Sequence, residues 1–530
     1  MFNIVKYYQH MQVSALRIFL LNIGKTIARF PFVVLFATTG AVLLAKAQGL
    51  PHTSDGLHSS LTRIAMALYL GMLAAIFCKV FCEKVKLNIT KQILLNLIIV
   101  LLMYLYYRSL QVKPGYVDQS RFVVLLLGLH AGIAFAPFIT SGNFNGFWQY
   151  NKHLLFRITT AFIYSHILFI GLWLALLAID NLFGLQFNDV NYGRLYILVL
   201  GIFNTMFFLY AFPQDVASLE QEKDFPKSLS IFTRFILLPL VTVYLLILYT
   251  YSIKIIFTQT WPAGWVSYLV IGFSVVGILA MLLVWPLRND EKQKWVTTYT
   301  RYFYIALLPL IILLSIAIGK RVMQYGLTEE RYFVIMIACW LILIDLYFMI
   351  SLTKNIKIIP VSIFIFCVIA AYGPFSAYKT SEESQLRRLT DLLQEAQRLS
   401  NGKAVKSNYQ VPMPRIKEIS SAAYYLIFTH GLSSMQPLFS NNLDSLCSVN
   451  DSSDIYIFKP TTVLNTIGIE YSNPHDNGSI TGNVVNLNVK DNNVILTKDF
   501  DYLVTFNVQQ RISNNKNMQV FYLGDRKSVV

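Results

Sequence analysis

Charge is what this sequence lacks most. Only 14% of its 530 residues are Asp, Glu, Lys or Arg, whereas 55% are hydrophobic and the mean hydropathy is +0.51. Soluble domains carry about 25% charged residues, so most of this chain is not built for water. Acidic residues are the scarcer sign, 28 against 44 basic ones, for a net charge of +16. The imbalance is local. Residues 1–378 hold 29 basic and 14 acidic side chains, and residues 379–530 hold 15 and 14. The basic excess stands between apolar runs, where it orients spans and attracts anionic headgroups. Membrane lipids are the implied partner; a nucleic-acid partner is not.

Cysteine is scarce too, with five in the chain. Cys78 and Cys82 share a helix face, Cys339 and Cys367 lie within apolar runs, and Cys447 is alone. None has histidines at ligand spacing, so neither a disulfide framework nor a metal is expected. Phosphate-binding glycine loops ending in Lys-Ser/Thr, His-Glu-x-x-His and Gly-x-Ser-x-Gly are all absent. Ser351-x-x-Lys354 stands without its companion motifs. No catalytic residue, cofactor or ATPase of its own is expected. A compact apolar core followed by a small-residue cleavage site is also missing from the start. Residues 1–29 read instead as a cytoplasmic amphipathic lead-in.

What is present is apolar length. A membrane span needs about 20 apolar residues, and about eleven segments qualify between residues 30 and 378. They are 30–47, 62–82, 89–107, 121–140, 158–180, 193–212, 232–257, 264–286, 301–319, 331–351 and 357–374. With the N-terminus inside, the cytoplasmic segments hold 19 Lys and Arg and the opposite side 10. That bias favours this orientation, and an odd count then puts the C-terminal tail outside. Gly128-xxx-Gly132-xxx-Ala136 and Ala67-xxx-Gly71-xxx-Ala75 form small-residue stripes suited to close helix packing, within one subunit or between two. Pro31, Pro137, Pro239 and Pro309 fall within the apolar segments as expected kinks.

Residues 379–402 read as an amphipathic juxtamembrane helix. Leu386, Leu389, Leu392, Leu393, Ala396 and Leu399 recur at three- and four-residue spacing. Thr380 with Glu383 suggests a capping box, and Asn401-Gly402 a stop. Residues 403–530 lose the apolar runs. Short alternating segments such as 454–459, 484–490, 494–496, 502–508 and 519–523 sit between Asn-, Asp- and Gly-rich turns. The expectation is a small soluble, mostly-β extracytoplasmic domain, with residues 424–428 a strand or a helix. The whole is an all-α polytopic transmembrane bundle with this domain appended.

Several blocks occur in an ordered series. They are Trp148-Gln149-Tyr150-Asn151-Lys152-His153, Gly201-Ile202-Phe203-Asn204-Thr205-Met206, and residues 239–265 around Tyr249-Thr250-Tyr251. Gln324-Tyr325-Gly326-Leu327-Thr328 with Arg331-Tyr332 follows, then Gly373-Pro374-Phe375-Ser376 leading to Ser384-Gln385-Leu386. Across residues 120–402 the chain resembles the bacterial multi-span membrane proteins grouped as domain of unknown function 4153. The resemblance implies a polytopic bacterial inner-membrane protein and carries no catalytic residues.

Two sets of side chains stand out chemically. Asp345 lies in an apolar run, and a charge in a span is a functional hypothesis by default. His166 sits at similar depth; together they could relay protons or bind a cation, or each could serve helix packing alone. Lys320, Arg321 and Arg331 fall on the outer side, where they could grip an anionic headgroup or pair with Glu329 and Glu330. Gly326 is expected to end one helix and Thr328 to cap the next. The leading reading is a protein that binds or moves a small or lipidic substrate. The alternative is a membrane-anchored sensor or scaffold whose residues 403–530 bind a protein partner. A membrane-embedded transferase ranks last.

Overall fold

A computed structural model describes residues 22–50, 55–139, 144–185, 187–222, 225–258, 265–289, 294–351, 354–447 and 455–472. The chain divides into two compact units, Met1–Arg387 and Arg388–Val530. The described residues of the first form helices joined by turns and loops, with no strand among them. After a short helix at 22–29 (α1) come α2 (Pro31–Gln48), α3 (Asp55–Val85), α4 (Ile89–Ser109), α5 (Tyr116–Phe135) and α6 (Phe144–Phe183). Then follow α7 (Asp189–Tyr210), α8 (Lys227–Thr258), α9 (Trp265–Leu283), α10 (Lys294–Tyr325), α11 (Glu329–Ile350) and α12 (Ile358–Ala371). Helix α13 (Ala377–Glu395) closes the series. Among the described residues, nine helices are long and apolar enough to cross a membrane, and two shorter apolar ones are Ser267–Leu283 and Ile358–Ala371. This is a membrane protein. Its helices are the forced outcome for long apolar runs, because hydrocarbon offers no partner to a free backbone N–H or C=O.

Hydrogen bonds tie the helix ends into two sets. At one end, Arg29 donates through Nε and Nη2 to the Glu83 carboxylate on the last turns of α3, at 3.0 and 2.8 Å. Arg29 also reaches the carbonyls of Phe212 and Pro213, just past α7. Lys357 Nζ, at the start of α12, donates to the Phe138 carbonyl beyond α5 at 3.3 Å. Trp148 Nε1, near the start of α6, donates to Leu282 at the end of α9 at 2.8 Å. At the other end, Arg194 on α7 reaches the Ala45 carbonyl of α2. Arg63 on α3 reaches Tyr107 of α4, and the hydroxyls of Ser109 and Tyr372 meet at 3.2 Å. Successive helices therefore run antiparallel, as short connections require.

Small residues set how close the helices come. A Cβ on Gly128 would lie 2.9 Å from the Cys367 Cβ of α12, and one on Gly201 would lie 2.5 Å from the Ala41 Cβ of α2. Gly128 thus serves packing inside the chain. Gly201 lies in a π-helical turn, Val199–Asn204, within α7. A second π turn, Phe232–Leu237, precedes Pro239 in α8; a proline has no N–H to give and crowds the preceding turn. Pro309 also lies inside its helix, α10. Pro31 instead occupies the first turn of α2, and Pro137 lies in a 3-10 turn, Ala136–Phe138, that ends α5.

Three local expectations are corrected. Thr328 holds the N-cap position of α11, but its side chain makes no capping hydrogen bond. Helix α13 begins at Ala377, so Thr380 is interior and returns its hydroxyl to the Ser376 carbonyl; no capping box forms. The helix also stops at Glu395, ahead of Asn401-Gly402. Both of those residues have positive φ, 50° and 73°. They make the two-residue turn of a small antiparallel hairpin, Leu399–Ser400 with Lys403–Ala404. Asn-Gly suits such a turn because both central residues must take positive φ. Gly326, at φ +70°, ends α10 as expected.

The second unit departs from the expected β domain. Its described part contains α14 (Met413–Tyr425), extended by a π turn through His430, a short α15 (Leu443–Leu446) and α16 (Ile455–Thr466). The segment 454–459, read as a strand, belongs from residue 455 to α16. Alternation over six residues is a weak signal, and a helix can bury the same side chains. The other expected strands, from 484 onward, lie outside the described residues. The apolar stripe of 379–402 is covered, with Leu389 and Leu393 fully buried.

Gly201→Ala should cost about 1–3 kcal/mol of stability by forcing α2 and α7 apart. A thermal melt of the detergent-solubilised protein checks this; an unchanged melting temperature would mean the approach tolerates a methyl group.

Candidate functional site

The first turns of α6 carry Asn145, Gln149, Lys152 and His153. At these offsets they share one face, and that face holds the segment after α7. Asn145 Nδ2 donates to the carbonyls of Glu220 and Glu222 at 2.9 and 2.8 Å, and Gln149 Nε2 to that of Glu222 at 3.0 Å. The Gly146 amide donates to the Glu220 carboxylate at 2.6 Å. Lys152 Nζ meets Glu222 Oε1 at 2.8 Å, and His153 Nε2 meets Oε2 at 3.0 Å. Lys152 is buried and Glu222 only partly so. A buried ammonium needs such a counter-charge. Partial burial pushes the Glu222 carboxyl up, but the hydrogen bonds and charges of Lys152 and His153 outweigh it and hold it below the usual carboxylate range.

Beside this clamp lies a chamber of about 510 Å³. Helix α6 contributes Trp148, Asn151, Lys152, Ala161 and Phe162, and α7 contributes Asn204 and Thr205 at its π turn. Met72 and Ile76 of α3, His130 of α5, Leu229 of α8, Leu279 and Leu282 of α9, and Pro360 of α12 also line it. Asn151 and Lys152 stand on the α6 turn nearest the Glu222 segment. Ala161 and Phe162 lie about 15 Å further along at 1.5 Å per residue. The chamber is therefore apolar over most of its surface and polar toward the clamp. Asn151 is oriented by its donations to Ala134 and Phe147, and Asn204 Oδ1 accepts from Ser165 at 3.3 Å.

The residues singled out in the sequence fall elsewhere. Asp345 is buried on α11, 1% exposed, and neither carboxylate oxygen has a hydrogen-bond partner among the described residues. It shares the helix face of Leu341, Ile344 and Phe348, all buried. His166 is half-buried on α6, where Nδ1 bonds the Phe162 carbonyl and Nε2 lies 3.3 Å from the Tyr196 hydroxyl of α7. The structure does not bring Asp345 and His166 together. Lys320 is exposed and Arg321 half-buried near the end of α10. Arg331 turns back to donate to the carbonyls of Tyr325 and Gly326 at 3.1 and 2.6 Å, satisfying the last turn of α10. Among the described residues no group of three His, Cys, Asp or Glu could hold a metal ion.

The clamp is the feature that reasoning from sequence missed. Its signal was four polar residues on one face of an otherwise apolar helix, three of them inside the first of the ordered blocks. Residues 32–379 match the family described as Domain of unknown function (DUF4153). This chain belongs to the DUF4153 family. The DUF4153 segment contains both the clamp and the chamber. Uncharacterized protein PM1469 of Pasteurella multocida (strain Pm70) is 28% identical over 290 residues, 53% of this chain and 48% of its own length. The chain thus spans about half the length of this relative. No solved structure matches the DUF4153 chain.

Glu222→Gln removes the carboxylate that Lys152 and His153 share and should cost about 1–3 kcal/mol, less than for a fully buried pair because Glu222 is partly solvated. Faster hydrogen exchange across residues 215–222 is the expected readout. Acid should act similarly. A carboxyl with lowered folded-state pKa contributes stability above its unfolded value and loses it as pH falls through the folded one. Protection of this segment should therefore be constant from neutrality to about pH 5 and fall below pH 4. Asp345→Leu, in contrast, should raise the melting temperature, since it removes a buried carboxyl with no partner. A lower melting temperature would show that the carboxyl stabilises the fold.

Proposed function

We propose that this protein crosses a bacterial inner membrane eleven times and binds a lipidic amphiphile in the chamber between α3, α5, α6, α7, α9 and α12. The single observation that carries this reading is the chamber itself, about 510 Å³, apolar along α6 and polar beside Lys152. A site of that size admits an acyl or isoprenoid chain, and Asn151 and Lys152 stand at the end that would take its polar group. Arg29, Lys152 and Lys357 gather at one end of the bundle, which supports that end as the cytoplasmic one. The N-terminus is then cytoplasmic and the C-terminal unit extracytoplasmic. Without a nucleotide motif, movement of the amphiphile would draw on another source. Asp345, buried and without a partner among the described residues, is the group we assign to proton linkage. A sensor or scaffold reading is favoured only by the separate compact unit, Arg388–Val530; deletion of residues 403–530 would abolish function on that reading and spare it on the first.

Leu279 lines the chamber and is 47% exposed, so a larger residue is tolerated there. Leu279→Trp should lower the acyl lipid that co-purifies in detergent about fivefold or more, measured by native mass spectrometry. Equal lipid in parent and variant would overturn the assignment of the chamber.

A further inference from the structure

A second cavity lies on the other face of α3 and α5. It measures about 450 Å³ and is walled by α3, α4, α5 and α12. The small residues Ala67, Gly71 and Ala74 of α3 and Gly128 of α5 are part of its lining. Its lining is apolar except toward one end, where Tyr106, Ser109 and Tyr372 stand. Ser109 and Tyr372 bond each other at 3.2 Å. Tyr106 is 6% exposed, and its hydroxyl has no hydrogen-bond partner among the described residues. Burying a hydroxyl without a partner is costly, so an acceptor supplied from outside the chain accounts for it.

Depth and length identify that acceptor. Tyr106 sits one turn before the end of α4, Ile89–Ser109. This is where a bilayer passes from hydrocarbon to headgroup, the level of the glycerol ester carbonyls. The lining residues of α4 run from Ile99 to Ser109, about 15 Å at 1.5 Å per residue. That is half of a hydrocarbon core of about 30 Å, the reach of one acyl chain toward the midplane. We propose that this groove binds a diacyl glycerolipid of the adjoining leaflet, with one chain along α4 and its ester carbonyl accepting a hydrogen bond from the Tyr106 hydroxyl. The site is separate from the chamber beside Lys152: the two lie on opposite faces of α3 and α5, with Gly71 and Gly128 lining one and Met72 and Ile133 the other.

The test uses the full chain carrying Leu279→Trp, so that the first chamber does not contribute. Protein in detergent is titrated with diacyl phosphatidylethanolamine and with its dialkyl ether analogue, which lacks the carbonyls, and bound lipid is counted by native mass spectrometry. The ester lipid should bind about fivefold more tightly than the ether, the worth of one hydrogen bond. Tyr106→Phe should lower ester binding to the ether level, leave ether binding unchanged, and not lower the melting temperature of the lipid-free protein. Equal binding of the two lipids to the Tyr106 protein, or undiminished ester preference in Tyr106→Phe, overturns the proposal. Displacement of the ester lipid by a lipid-soluble quinone, dependent on Tyr106, overturns it in favour of a different occupant. Failure of the chamber assignment leaves each of these readouts intact.

Discussion

A backbone amide in hydrocarbon has no water to bond, and this constraint underlies the rest of the structure. It turns each long apolar run into a helix and confines irregular backbone to places that protein can satisfy. The segment after α7 shows the second consequence. Its carbonyls at Phe212, Pro213, Glu220 and Glu222 are each met by a side chain from another helix, Arg29, Asn145 or Gln149. The charges follow the backbone. Once Asn145 and Gln149 hold the segment, Glu222 stands opposite Lys152 and His153, and its carboxylate offsets the buried ammonium.

The same constraint explains where the two cavities lie. Helices that satisfy their own backbones still need side-chain volume to fill the space between them. Ala67, Gly71, Ala74 and Gly128 line one cavity, and the other borders the π turn Val199–Asn204 of α7. In each cavity the apolar wall ends in a few polar groups, Tyr106 with Ser109 and Tyr372 in one, Asn151 and Lys152 in the other. Apolar length with a polar terminus is the shape of an amphiphile, and both functional assignments rest on that match.

Asp345 follows a different logic. Its face of α11 is otherwise Leu341, Ile344 and Phe348, a packing surface. A carboxyl there weakens the packing, and structures keep such groups where they serve a task. Its separation from His166 means that any proton linkage runs through Asp345 with partners other than that imidazole. His166 already engages Tyr196.

The apolar runs by themselves determined the helices, because length and hydropathy suffice when the alternative is an unsatisfied backbone. Composition placed the membrane domain, and the ordered blocks pointed to the family. Single residues were less legible. Thr328 and Thr380 looked like caps, yet neither side chain caps a helix, since capping depends on the local entry angle of the chain. The segment 454–459 looked extended and is largely helical, because a short alternating pattern buries equally well in either form. Only the tertiary structure decided that Lys152 meets Glu222 across 70 residues of sequence, that His166 and Asp345 stay apart, and that Tyr106 faces a groove. Those pairings arise from which helix faces meet, and helix packing is set by side-chain shape along whole faces rather than by any motif.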